Sequence, residues 1–80
     1  MIYAVDFDGT LCANLYPKIG KPRAGVIEYI REAKEQGGTI ILWTCRVGAL
    51  LDQAVQWCRE NEVPIDYVNV NDPAIVERFG

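Results

Sequence analysis

The stretch Asp6-Phe7-Asp8-Gly9-Thr10 puts two carboxylates two residues apart, directly after the apolar run Ile2-Tyr3-Ala4-Val5. On an extended chain residues i and i+2 project to the same side, so Asp6 and Asp8 share a face where the chain leaves a strand. Gly9 lets the backbone turn sharply into a loop. Like charges this close repel unless a cation sits between them, and a hard divalent ion with oxygen ligands, Mg2+, meets that need. One carboxylate is then placed to attack an electrophilic phosphorus while the other moves protons. An isolated Asp-Gly is common in solvated turns. The weight lies in the second Asp and in the apolar strand that precedes both.

Composition narrows the chemistry further. The 80 residues include no histidine and no serine. Ser-His-Asp and Cys-His catalysis are therefore excluded within this sequence, as is zinc held by histidine. A nucleophile must come from Asp, Glu, Cys, Thr, Lys or Tyr. Cys12, Cys45 and Cys58 are odd in number and form no C-x-x-C pair. They read as small apolar fillers in a reducing compartment, not as a disulfide framework or metal knuckle. Eleven acidic against eight basic residues leave a net charge of −3, which argues against a nucleic-acid binder recognised by charge. The longest apolar run, residues 40–43, is far short of the ~20 needed to span a bilayer. The first residues show no basic stretch followed by an apolar segment, so a cytoplasmic location is expected.

The elements that must position the aspartates follow from the apolar pattern. At this length one domain over residues 1–80 is expected, burying only about 60–65% of its unfolded surface. Residues 2–5 read as a buried strand, and residues 11–21, with Asn14, Pro17 and Gly20 as breakers, as a loop. Val26, Ile27, Ile30 and Ala33 recur at helical spacing over residues 23–36, with Pro22 near the start and Gly37-Gly38 as a left-handed stop. Residues 39–43 form a second strand without alternation. Leu50, Leu51, Ala54, Val55 and Cys58 mark a second helix ending near Asn61. Residues 65–70 form a third strand, and Asp72-Pro73 opens a short helix over residues 73–79. The order βαβαβα with continuous apolar strands predicts an α/β, three-layer Rossmann-like fold with a parallel sheet. Ligands in such folds sit at the carboxyl ends of the strands. The polar residues there are Asp6 and Asp8, then Thr44 and Arg46, then Asn69, Asn71 and Asp72.

Asp6-Phe7-Asp8-Gly9-Thr10-Leu11 resembles the first signature of the haloacid dehalogenase superfamily of phosphohydrolases. Ile40-Ile41-Leu42-Trp43-Thr44 is similar to its second, an apolar strand ending in Ser or Thr. The resemblance covers residues 1–72 and implies roles. Asp6 would be the nucleophile that forms an aspartyl-phosphate, and a Mg2+ ligand. Asp8 would be the general acid/base, with its backbone carbonyl on the metal. Thr44 would hydrogen-bond the transferring phosphoryl group, Gly9 and Thr10 would line the phosphate site, and Arg46 would add a bidentate phosphate contact. About ten residues separate Thr10 from Lys21, too few for a folded cap, so the site should be open and suited to large or exposed phosphates.

The sequence departs from that superfamily beyond the third strand. A lysine that steadies the phospho-intermediate and an acidic cluster that completes the Mg2+ site are not supplied after Asp72; Lys18 and Lys21 are weak substitutes. The core then looks incomplete, and residues 2–5 become a bare apolar edge strand that invites pairing with a second copy or a partner chain. A non-catalytic phosphate- or Mg2+-binding domain completed by a partner is therefore the rival expectation. A receiver domain is rejected, because its phospho-accepting Asp follows a later strand, where Thr44 and Cys45 stand here.

Overall fold

The computed structural model describes residues 1–69. Asn71, Asp72 and the helix expected over residues 73–79, and with them the third layer, lie outside the described residues. The elements run β1 (Ile2–Asp6), β2 (Cys12–Leu15), β3 (Lys18–Pro22), α1 (Ala24–Glu35), β4 (Thr39–Trp43), α2 (Gly48–Glu60) and β5 (Tyr67–Val68). Strands β1, β4 and β5 form one parallel sheet in that order. Ile2 pairs with Thr39 and Asp6 with Trp43, while Leu42 pairs with Val68. The parallel α/β architecture expected from the sequence is thus present.

Helix α1 turns Ile27, Ile30 and Ala33 inward, and α2 turns Ala54 and Cys58 inward. They join Val5, Phe7, Ile40, Leu42 and Val63 in a single apolar cluster. That burial, at roughly 1.5–3 kcal/mol for each large side chain removed from water, is the main force holding the sheet to the helices.

Both helices end in the same motif. After α1, the Gly38 amide donates to the Ala33 carbonyl and the Gly37 amide to the Lys34 carbonyl, with Gly37 at φ +90°. After α2, the Val63 amide donates to Cys58 and the Glu62 amide to Arg59. There the left-handed position falls on Glu62, at φ +55°, in place of the usual glycine. Arg31 of α1 donates to the Asn61 and Glu62 carbonyls at 2.7 and 2.9 Å, satisfying orphan groups at the end of α2. The same guanidinium lies 3.5 Å from the Glu62 carboxylate, and a carbonyl-rich helix end attracts a cation through its partial negative charge.

One expectation is corrected. Residues 11–21 are not a loop but the arms of an antiparallel hairpin, β2–β3, with Leu15 opposite Lys18 and Asn14 opposite Ile19. The presumed breakers are the parts that make it. The Asn14 side chain accepts from the Tyr16 amide, and Pro17, after a cis peptide bond, lies in the turn. Gly20 faces the Ala13 carbonyl so closely that a Cβ there would lie 2.2 Å from its oxygen. Among the described residues β1 is an edge of the sheet, with Ile2, Ala4 and Asp6 exposed. No described helix is long and apolar enough to cross a membrane.

Candidate active site

The parallel register brings the ends of three strands to one edge of the sheet. The Phe7 amide donates to the Trp43 carbonyl and the Asn69 amide to the Leu42 carbonyl, so the segments leaving β1, β4 and β5 are tied side by side. Phe7 is fully buried and meets Trp57 edge-to-face, with centroids 5.4 Å apart. This anchor drives the residue between the two aspartates into the core. Gly9, at φ +91°, then reverses the chain toward the hairpin.

Asp6 is exposed and lines a shallow groove with Ala4, Thr10 and Val26 along the free side of β1. Asp8 has a different setting. Arg46 donates to both of its oxygens, Nε to Oδ2 and Nη2 to Oδ1, each at 2.8 Å. The Asp8 side chain is 19% exposed and that of Arg46 only 1%. The remaining guanidinium bonds run to the Pro17 and Lys18 carbonyls at the hairpin tip, each at 3.1 Å. The Phe7 and Tyr16 rings lie 5.2 and 5.1 Å from the guanidinium carbon. The hydrogen bonds to Asp8 hold the Arg46 pKa above its ordinary range, so the group stays charged.

This geometry revises three sequence-based roles. Arg46 is not free to grip a phosphate, because it is buried and four of its five guanidinium donors are spent within the protein. The Gly9 and Thr10 amides are spent as well, on the Cys12 and Phe7 carbonyls, so the loop offers no ready amide cradle at these two positions. The cation expected to relieve the Asp6–Asp8 repulsion is present next to Asp8 as a guanidinium.

A test of Mg2+ against the described residues gives a matching result. Among the described residues the Asp6 carboxylate has no hydrogen-bond partner and could serve as a hard oxygen ligand, whereas both Asp8 side-chain oxygens face Arg46, so Asp8 could offer only its backbone carbonyl. Among the described residues no group of three His, Cys, Asp or Glu side chains is placed to hold a metal. The described residues alone therefore fall short of a Mg2+ site.

Thr44 stands where the sequence placed it, immediately after β4. Its Oγ1 accepts from the Arg46 amide at 3.1 Å, which leaves the hydroxyl proton available to donate. The Asn69 side chain accepts from the Thr44 amide at 2.8 Å, with Asn69 itself at φ +53°. The structure thus brings Asp8, Thr44, Arg46 and Asn69 into one bonded set, with Asp6 beside it on β1. Tyr16 and the carbonyls of Pro17 and Lys18 belong to the set and carry no sequence signal, because their part depends on a hairpin read as a loop. Lys18 and Lys21 are exposed on the hairpin.

Two solved structures resemble the chain. A conserved protein from Bacteroides thetaiotaomicron is 35% identical with a TM-score of 0.85; the match covers all of this chain and 66% of that one. An MCSG target from Vibrio cholerae is 31% identical with a TM-score of 0.73, over 90% of this chain and 70% of that one. The chain belongs to the same family as the Vibrio protein. It spans just under two thirds of the Bacteroides protein's length. No family model matches the sequence, and no curated protein does.

Proposed function

We propose that the protein is a Mg2+-dependent phosphohydrolase of the haloacid dehalogenase type, acting through an aspartyl-phosphate on Asp6. One observation carries the reading: two aspartates of unequal setting at the carboxyl end of β1, the first exposed and unencumbered, the second held rigid beside it. A free carboxylate suits a nucleophile, and a fixed one suits proton transfer.

An Asp6 oxygen attacks phosphorus, the bond from phosphorus to the leaving oxygen breaks, and Asp8, having first taken up a proton from solvent against the pull of Arg46, gives that proton to the leaving oxygen. Asp8 then takes a proton from water as the water attacks phosphorus, releasing inorganic phosphate and restoring Asp6. Thr44 donates its hydroxyl proton to a phosphoryl oxygen. Mg2+, when bound, would offset the charge of the phosphoryl group. Its further ligands, and the lysine expected in the superfamily, must come from outside the described residues. The short hairpin leaves Asp6 open to solvent, which favours exposed phosphates on larger molecules over small metabolites.

Hydrolysis of p-nitrophenyl phosphate with and without Mg2+ is the test. Turnover is expected to require Mg2+ and to fall more than ~1,000-fold in Asp6→Asn. Thermal stability should be unchanged, because Asp6 is exposed. The shortage of metal ligands among the described residues favours one rival, a domain that binds phosphate or Mg2+ and works only with a partner. Mg2+ binding without turnover selects that rival.

A further inference from the structure

We propose that Arg46 is a positioning residue, not a phosphate ligand: its guanidinium locks the Asp8 carboxylate and the tip of the β2–β3 hairpin into one unit, so that Asp8 meets the leaving group in a single orientation. The role rests on the phosphohydrolase reading above.

Four of the five guanidinium N–H donors are committed, two to Asp8 and one each to the Pro17 and Lys18 carbonyls. The group is 1% exposed and lies close to the Phe7 and Tyr16 rings. A phosphate could reach it only by displacing Asp8 or the hairpin tip. The fork-on-fork contact fixes the plane of the carboxylate as well as its position, which a point charge on a flexible stem would not do. Arg46 is itself held, since its amide donates to Thr44 Oγ1 and the Thr44 amide donates to Asn69. The loop after β4 therefore sets the geometry of the loop after β1 across 38 positions of sequence.

Arg46→Lys keeps the charge and removes the fork. The test compares kcat/KM for a series of aryl phosphates and one alkyl phosphate, with inorganic phosphate as inhibitor. Asp8 is also the base for the shared aspartyl-phosphate, so kcat falls on every substrate; kcat/KM stops at phosphoryl transfer and isolates the leaving group. A nitrophenolate leaves without a proton, whereas an alkoxide needs one. The lysine variant should therefore lose kcat/KM by ~100-fold on the alkyl substrate and by no more than a few-fold on p-nitrophenyl phosphate. Inhibition by phosphate should stay within a few-fold of wild type. A loss of kcat/KM of equal size across all leaving groups overturns the role. So does a tenfold rise in the phosphate inhibition constant, which would make Arg46 a phosphate ligand.

If the wild-type chain turns over none of these substrates, the phosphohydrolase reading falls separately. The lock is then judged by a double-mutant cycle on Tm. Arg46→Lys and Asp8→Asn should act non-additively if the two side chains form one unit, and additive shifts overturn it.

Discussion

Asp66 and Asp8 are both carboxylates held by a cation, and they show how differently one residue type is used at the two ends of the sheet. Asp66 precedes β5, accepts from Lys34 Nζ at 2.7 Å and from the Ile40 amide at 2.8 Å, and so ties α1, β4 and β5 together. Burial works against its ionisation, but Lys34 and the Ile40 amide outweigh it and hold the carboxyl below its ordinary value of 3.8. A carboxylate with a lowered pKa stabilises the fold above its unfolded value, and that contribution disappears as pH falls through its folded value. Wild type should therefore lose stability in urea melts as pH drops below about 4, with a steeper slope than Asp66→Asn. At neutral pH the variant should be weaker by about 1–2 kcal/mol. Parallel acid slopes for the two proteins would refute this assignment. At this scale the sequence placed Asp6, Asp8 and Thr44 at the ends of β1 and β4, where they stand, because a motif at a strand end marks itself. It did not disclose the partner of Arg46. A residue type at a position says nothing of a carboxylate 38 residues away until the sheet register is known.

Elements with a strong period were legible, and elements built on turns were not. The strand over residues 39–43 falls where the alternation-free apolar run put it, and α1 ends at the glycine pair because Gly37 supplies the left-handed φ. The hairpin escaped notice because its arms are short, mostly exposed, and interrupted by Asn14, Pro17 and Gly20. Two glycines separate these effects. Gly20→Ala drives a methyl into the Ala13 backbone. It should lower stability by at least about 1–3 kcal/mol, as overpacking does. Gly25, in the first turn of α1, has open space around its Cβ position, so Gly25→Ala should stabilise by roughly 0.4–1 kcal/mol. Glu62 stands where a glycine normally ends a helix, and Glu62→Gly should gain up to about 1 kcal/mol by relieving the left-handed strain. Thermal melts of the three variants check these signs, and a stabilised Gly20→Ala protein would contradict the hairpin packing.

For the molecule as a whole, the described residues form a small core on one face of the β1-β4-β5 sheet, where β1 is an edge among the described residues, and they protect the thiols unequally. Burial raises the Cys12 pKa, and pushes that of Cys58 up to about 12, while Cys45 is exposed. Alkylation of the native protein at pH 8 should mark Cys45 alone, and all three cysteines only after denaturation; fast labelling of Cys58 in the native state would mean that the α2 face is not packed as described. The central claim concerns the exposed aspartate at the end of β1. Its most direct test is rapid acid quench during turnover of an aryl phosphate carrying labelled phosphorus, followed by peptide mapping. The account predicts acid-stable, hydroxylamine-labile label on Asp6 and none in Asp6→Asn. Label at the wild-type level in that variant, or turnover at the wild-type rate without Asp6, would contradict it.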